Sequence, residues 1–128
     1  MMKTKCMLLL SALFLAGLYS HAGNNAAPGD TLKKQKKEIR TSEFPVRGNC
    51  GQCKDRIEKS AYRLKGVKDV SWDVDTKIFT VIYDAVKISE GDIREAILKA
   101  GHDVGEKLAP DSAYSLLPDC CKYRDRKH

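Results

Sequence analysis

The sequence predicts a small α+β domain in which two helices cover one face of an antiparallel sheet. Apolar residues alternate along three short segments and recur at helical spacing along two others. These segments follow the order β-α-β-β-α, and a further short strand can follow the last helix. A chain of 128 residues, 42% of them hydrophobic, supports one modest core and no second conventional domain.

The first 22 residues have the features of a secretory signal peptide. Lys3 and Lys5 precede an apolar run from Met7 to Leu18, and the small-residue pattern Ser20-His21-Ala22 follows it. An uncleaved anchor is the alternative, but the run is shorter than the roughly 20 residues that a transmembrane helix needs. We therefore expect cleavage after Ala22 and an exported protein, periplasmic or secreted, with no membrane insertion after cleavage.

Cleavage would change which metal ligands are left in the chain. All three methionines and Cys6 lie in the signal peptide, so the mature chain has no thioether. Its cysteines form two close pairs, Cys50 with Cys53 and Cys120 with Cys121. An even number of cysteines in an oxidising compartment leaves structural disulfides open as an alternative for both pairs.

Composition divides the mature chain into a linker, residues 23–40, a domain, residues 41–108, and a C-terminal tail, residues 109–128. The linker is small, polar and basic, with almost nothing apolar to bury. Basic and acidic residues are equal in number within the domain, although the whole chain has a formal net charge of +6. Nucleic-acid binding needs a basic face on the folded domain, so we expect no nucleic-acid partner.

The first half of the domain is predicted as a strand, a loop and a helix. The strand spans Glu43 to Arg47, and Gly48 with Asn49 breaks it. The helix runs from Cys53 until Gly66 stops it, because apolar residues recur at helical spacing at Ile57, Ala61 and Leu64.

The second half is predicted as a hairpin, a helix and a last strand. Asp75-Thr76 supplies the hairpin turn between two alternating segments, whose apolar residues are Val70, Trp72, Val74, Phe79, Val81 and Tyr83. Ser89 caps a second helix that ends at Gly101. Val104 to Leu108 adds a fourth strand, which completes the ferredoxin-like order β-α-β-β-α-β.

The segment Cys50-Gly51-Gln52-Cys53 is the main candidate site. It places two thiols at the start of a helix, where unpaired N–H groups and the helix dipole favour thiolates. Thiolates bind soft metal ions, and a loop position leaves the ion open to an incoming thiolate. Closed zinc sites, thiol redox sites and disulfides use the same spacing, so this motif alone leaves the chemistry open.

The wider pattern resembles the heavy-metal-associated domain of copper chaperones, P-type ATPase metal-binding domains and the periplasmic mercury-binding protein. The segments that carry this resemblance are Val46 to Cys53, Arg56-Ile57-Glu58, Leu64 to Val67, the hairpin, and Ala96-Ile97 to His102. The resemblance implies a Cu(I) chaperone or scavenger that binds its ion through Cys50 and Cys53, with Ag(I), Hg(II) and Zn(II) as further candidate ions. It also implies a metal-transporting or efflux partner with a thiolate or similar site.

Two details of this resemblance concern individual residues. The loop Gly48-Asn49-Cys50 is one residue shorter than the usual family loop and lacks the methionine that packs under it. His102 follows the Ala-Gly pair of the second helix, a position that lies beside the metal loop in the family. The resemblance therefore makes His102 a candidate nitrogen ligand or hydrogen-bond partner, and a structural or exposed histidine is the alternative.

Cys120 and Cys121 are adjacent in the tail, and three interpretations of them remain open. In the first, the two cysteines form a disulfide with each other. In the second, one of them forms a disulfide with a cysteine of the loop, and an oxidising compartment outside the cytoplasm allows either bond. Alternatively the tail folds over the loop and adds one or two soft ligands to the site.

Two other functions compete with metal binding. A thiol-disulfide oxidoreductase also uses an exported CxxC at a helix start, but Asn49 and Gln52 stand where a thioredoxin-like site has Trp and Pro. A non-catalytic interaction module of a metal efflux system is the second alternative. Since the sequence has no Ser-His-Asp set, paired carboxylates or phosphate-binding loop, we expect no enzyme activity.

Overall fold

The computed structural model describes residues 36–125. The predicted signal peptide, most of the predicted linker and residues 126–128 lie outside this range. In order along the chain, the elements are β1 (Ile39–Pro45), α1 (Gly51–Tyr62), β2 (Val67–Trp72), β3 (Ile78–Asp84), α2 (Glu90–Lys99), α3 (Asp111–Ser115) and a 3-10 turn (Asp119–Cys121). None of the helices in residues 36–125 has the length and apolar character needed to cross a membrane.

The three strands form one antiparallel sheet in the order β1-β3-β2. Alternate residues of β3 are buried, and they face the core together with residues of α1 and α2. The core residues of these elements are Phe79, Val81, Tyr83, Ile57, Ala61, Ile93 and Ile97. This arrangement confirms the predicted α+β fold with two helices on the sheet.

Several element boundaries differ from the prediction, and among them β1 ends at Pro45, α1 at Tyr62 and β2 at Trp72. β1 begins at Ile39, earlier than the predicted Glu43, because Ile39 pairs in register with Asp84 of β3. α1 begins at Gly51 rather than Cys53, since Cys50 has extended backbone and occupies the N-cap. The second helix agrees at its start, where Ser89 forms a capping box with Asp92.

The predicted fourth strand from Val104 to Leu108 was wrong. Val104 makes isolated bridges to Val46 and to Lys107 instead of joining a continuous strand. Gly105 adopts a φ of 57°, which glycine tolerates well, and the chain reverses there. The segment after α2 is therefore a tight turn beside the end of β1.

The indole of Trp72 packs against the cysteine loop at Gly48. Its side chain is fully buried, and its Nε1–H donates to the carbonyl of Val46 at 3.0 Å. A Cβ added at Gly48 would lie 3.0 Å from the indole ring and 2.9 Å from Cβ of Cys53. Gly48 therefore allows the loop to rest directly on Trp72 and on the first turn of α1.

We expect Gly48→Ala to lower the free energy of unfolding by about 1–3 kcal/mol, because the added methyl overpacks this contact. Gly51→Ala is the matched control, since a Cβ at Gly51 meets nothing within 4 Å. Urea denaturation of the two variants and the parent measures the effect. Equal losses in both variants would contradict the close packing at Gly48.

Candidate metal centre

Three cysteine sulfurs converge at the start of α1. The Sγ atom of Cys50 lies 3.6 Å from that of Cys53 and 3.9 Å from that of Cys121. All three sulfurs lie within 4.8 Å of one another. The cysteines are free thiols, and these distances exceed the roughly 2.05 Å of a disulfide bond.

The first turn of α1 sets the positions of the two loop sulfurs. Cys53 is fully buried and its sulfur accepts the backbone N–H of Asn49 at 3.3 Å. Cys50 is only partly buried, because it sits at the N-cap with φ −148° and ψ 176°. One sulfur is therefore fixed within the core and the other lies at the mouth of the site.

The thiol of Cys50 is more acidic than that of Cys121. Burial works to raise its pKa, but hydrogen bonds from the backbone and side chain of Cys53 and from the backbone of Gln52 lower it to about 7. By contrast, burial and the neighbouring sulfur of Cys53 raise the pKa of Cys121 well above its ordinary value. Near neutral pH the site therefore combines a partly ionised Cys50 with a protonated Cys121.

The C-terminal tail folds back over the site, a placement that ligation by the tail requires. Leu117 and Cys121 are buried, and Leu117 lies close to Gly101 at the end of α2. Tyr123 is also buried, and its hydroxyl accepts the backbone N–H of Asp103 at 2.8 Å. The same hydroxyl donates to the carbonyl of Gly101 at 2.9 Å.

A buried carboxylate holds the last described turn of the tail. Asp103 is fully buried and pairs with the guanidinium of Arg124, whose Nε lies 3.2 Å from Oδ2. Burial works to raise the pKa of Asp103, but the hydrogen bonds from Arg124 and from the backbone N–H of Ala109 hold it below its ordinary value. Arg124 also donates to the carbonyl of Ala109 at 2.9 Å. We call Asp103, Tyr123 and Arg124 the tail anchor.

Cys120 and His102, two of the predicted ligands, lie outside the group of three sulfurs. Cys120 directs its thiol to the side-chain oxygen of Gln52 at 3.2 Å. His102 is fully buried and its Nδ1–H donates to the carbonyl of Arg47 at 2.8 Å. Its ring stacks on Tyr123 with centroids 5.6 Å apart. Burial lowers the pKa of His102, so the ring is neutral near pH 7.

Comparison with known proteins identifies the family. The model of the heavy-metal-associated domain matches residues 49–103. The copper chaperone CopZ of Staphylococcus haemolyticus is 32% identical over 56 residues, which cover 44% of this chain and 82% of that protein. The chain belongs to the heavy-metal-associated domain family. The resemblance found in the sequence is confirmed, and Cys50 with Cys53 is the cysteine pair of a heavy-metal-binding domain.

Larger proteins also contain domains similar to this heavy-metal-associated domain. The zinc-transporting ATPase of Synechocystis sp. is 39% identical over 83 residues, 64% of this chain but 11% of that protein. A solved structure of the N-terminal domain of a potential copper-translocating P-type ATPase from Bacillus subtilis, in the Cu(I)-loaded state, is 30% identical. It has a TM-score of 0.51 and covers 59% of this chain and 96% of that chain. The chain thus spans about a tenth of the length of the transporting ATPase.

The sequence interpretation missed the tail anchor of this heavy-metal-associated domain. The family match ends at residue 103, so Tyr123 and Arg124 lie beyond it. The available signal was the tail composition, in which Lys122, Tyr123 and Arg124 follow the Cys120-Cys121 pair. Asp103 gave no local signal, because an aspartate next to a turn is normally exposed.

In the reduced, metal-free protein we expect alkylation of Cys50 by iodoacetamide to follow a midpoint near pH 7, the value to which its pKa is lowered. Since the thiolate is the nucleophile, reaction is fast above this pH and declines below it. Cys121 should react slowly across the range, because its thiol stays protonated and buried. Peptide mass mapping over a pH series measures each site.

Cys50→Ser is the control and should remove the phase centred near pH 7. A Cys50 midpoint near the ordinary cysteine value of about 8.5 would contradict the lowered pKa.

Proposed function

We propose that the protein is an exported Cu(I) chaperone or scavenger that binds one ion through the thiolates of Cys50 and Cys53. One observation carries the proposal: the two sulfurs lie 3.6 Å apart at the start of α1 in a heavy-metal-associated domain. The pKa of Cys50 there is about 7. A pair of thiolates so placed suits a soft monovalent ion.

The ligand chemistry favours Cu(I) over Zn(II). Within residues 36–125 the group of possible ligand atoms at this site consists of sulfur alone. A structural zinc site takes four protein ligands, and this group offers three. Relatives named for copper and for zinc both exist, so their names do not decide the ion. Ag(I) and Hg(II) share the softness of Cu(I) and are the next candidates.

The proposed partner is a metal-transporting or efflux protein with a thiolate site. Similarity to domains of a copper-exporting P-type ATPase of Bacillus subtilis and of the zinc-transporting ATPase supports this class of partner. The part-buried sulfur of Cys50 is the atom that an incoming thiolate would meet first. Transfer would then proceed by exchange of one sulfur ligand for another.

A thiol-disulfide oxidoreductase remains the second candidate, because the lowered pKa of Cys50 would also activate a redox thiol. Its distinguishing property is turnover of a disulfide substrate faster than a free dithiol achieves. We expect none from the mature protein, measured with a model disulfide. Turnover without metal binding would replace the copper proposal with this one.

We expect reduced mature protein to bind one Cu(I), and either Cys50→Ser or Cys53→Ser to weaken binding by more than about a hundredfold. Replacing a residue that only supports a ligand typically lowers metal affinity about 10–100-fold, so losing a ligand should cost more. The mature chain has no methionine to replace a lost sulfur. Competition against a chromophoric Cu(I) chelator, with native mass spectrometry for stoichiometry, measures the effect. Ser71→Ala, at an exposed position of β2, is the control. Unchanged affinity in both cysteine variants would overturn the assignment.

The export proposal rests on the amino-terminal sequence and has its own test. When the full chain is expressed in a bacterial host, intact mass should correspond to a chain that begins at Gly23 and lies outside the cytoplasm. Leu9→Arg interrupts the apolar run and should leave the precursor uncleaved. Recovery of the parent chain in the cytoplasm with residues 1–22 intact would contradict export.

A further inference from the structure

We propose that Cys121 is a third sulfur ligand, and that the tail anchor positions it so that the tail closes the site over the bound ion. This inference rests on the proposed function for the identity of the ion. It assigns a coordination number and a set of positioning residues, neither of which follows from the CxxC motif.

The spacing of the sulfurs favours three ligands over two. Three sulfurs in a plane around an ion at about 2.3 Å, the length of a zinc–sulfur bond, lie about 4.0 Å apart. Two sulfurs on opposite sides of such an ion would lie about 4.6 Å apart. The observed distances from Cys50 are 3.6 Å to Cys53 and 3.9 Å to Cys121. Both distances are closer to the triangular spacing than to the linear one, and the sulfurs of Cys53 and Cys121 also lie within 4.8 Å of each other.

Coordination by Cys121 exchanges a proton for the ion. In the metal-free protein its sulfur is fully buried beside the sulfurs of Cys50 and Cys53. When the ion binds, the S–H bond breaks, the proton passes to solvent and the sulfur lone pair is donated to the ion. No electron is transferred, so no oxidant or reductant is needed. The buried position of this sulfur would also shield a bound ion from water.

The turn that carries Cys121 contacts the metal loop through Cys120 and Gln52, and it is also held by contacts outside the loop. Tyr123 and Arg124 both bind Asp103, whose own backbone carbonyl accepts the N–H of Arg47 at 2.9 Å. Arg124 also packs over the ring of Tyr114, with its guanidinium carbon 4.3 Å from the centroid. The tail is thus tied to the segment after α2 and, through Asp103, to the residues between β1 and the loop. The anchor residues are positioning residues, because they act on the ion through Cys121.

Cys120 provides an internal control for this proposal. Its sulfur lies 3.9 Å from that of Cys121 but is directed to Gln52 and is not part of the group of three. A serine at position 120 therefore removes a thiol from the same turn without removing a ligand. The two adjacent cysteines should behave differently when each is replaced in turn.

The first experiment counts sulfur ligands by X-ray absorption spectroscopy on full-length mature protein loaded with one equivalent of Cu(I). We expect three sulfurs in the parent protein and in Cys120→Ser, and two in Cys121→Ser. Two sulfurs in the parent, unchanged in Cys121→Ser, would overturn the third ligand while the Cu(I) proposal stands. Failure of the parent to bind Cu(I) at all would instead overturn the proposed function.

The second experiment tests the anchor with all cysteines intact. Arg124→Met and Tyr123→Phe should lower the sulfur count towards two and speed the release of Cu(I) to a competing dithiol by about tenfold or more. Lys107→Met is the matched control, because it removes a cation whose partner is the exposed Glu95. Thermal unfolding followed by circular dichroism checks that each variant is folded.

A combined variant separates positioning from general stability. In a Cys121→Ser background, Arg124→Met should have no further effect on the release rate, because the ligand that it positions is already absent. If both anchor variants keep three sulfur ligands and release Cu(I) at the rate of the parent protein, the anchor does not position Cys121. An equal acceleration with and without Cys121 would also overturn the positioning role.

Discussion

The packing of the cysteine loop on the indole of Trp72 is the contact on which the rest of the site depends. The indole is fully buried at the end of β2, and its Nε1–H is bonded to the carbonyl of Val46, just before the loop. Gly48 brings the backbone against the ring, and Cys53 packs on the same glycine. A buried aromatic ring with a satisfied polar atom is a rigid support. The two loop sulfurs therefore keep their separation before any ion arrives, which reduces the ordering cost of binding.

The sulfurs of Cys50 and Cys121 lie in different surroundings, and their pKa values differ as a result. Cys50 is at the mouth and is partly ionised near neutral pH, because backbone N–H groups at the helix start stabilise its negative charge. Cys121 lies on the tail, and burial raises the pKa of its thiol. A low-dielectric interior disfavours several adjacent thiolates until a cation neutralises them. An ion captured by the ionised sulfur would therefore be the event that allows the buried thiol to ionise.

The buried carboxylate of Asp103 links the tail to the domain. Its hydrogen bonds offset the free energy lost when its charge is removed from water. An isolated buried charge is strongly unfavourable, and removal of one partner from a buried pair is typically destabilising. Here the carboxylate accepts hydrogen bonds from Arg124 and from the backbone of Ala109. Asp103 also belongs to the segment that forms a tight turn in place of a fourth strand. That turn places Asp103 where Tyr123 and Arg124 of the tail contact it.

The sequence by itself determined the order of the elements, the alternating core of the hairpin, the cap at Ser89 and the CxxC pair, because these depend on near neighbours in the chain. It left Cys120 and Cys121 equivalent, since neither periodicity nor composition distinguishes two adjacent cysteines. The tertiary structure separated them: Cys121 meets Cys50 across 71 positions of sequence, and Cys120 is directed to Gln52. It also replaced the fourth strand by a turn and directed His102 to Arg47 instead of to the sulfurs. The tail position depends on buried Asp103 and Tyr123 and on part-buried Arg124, which contact one another across about 20 positions of sequence. Local sequence patterns carry no signal for contacts at that separation.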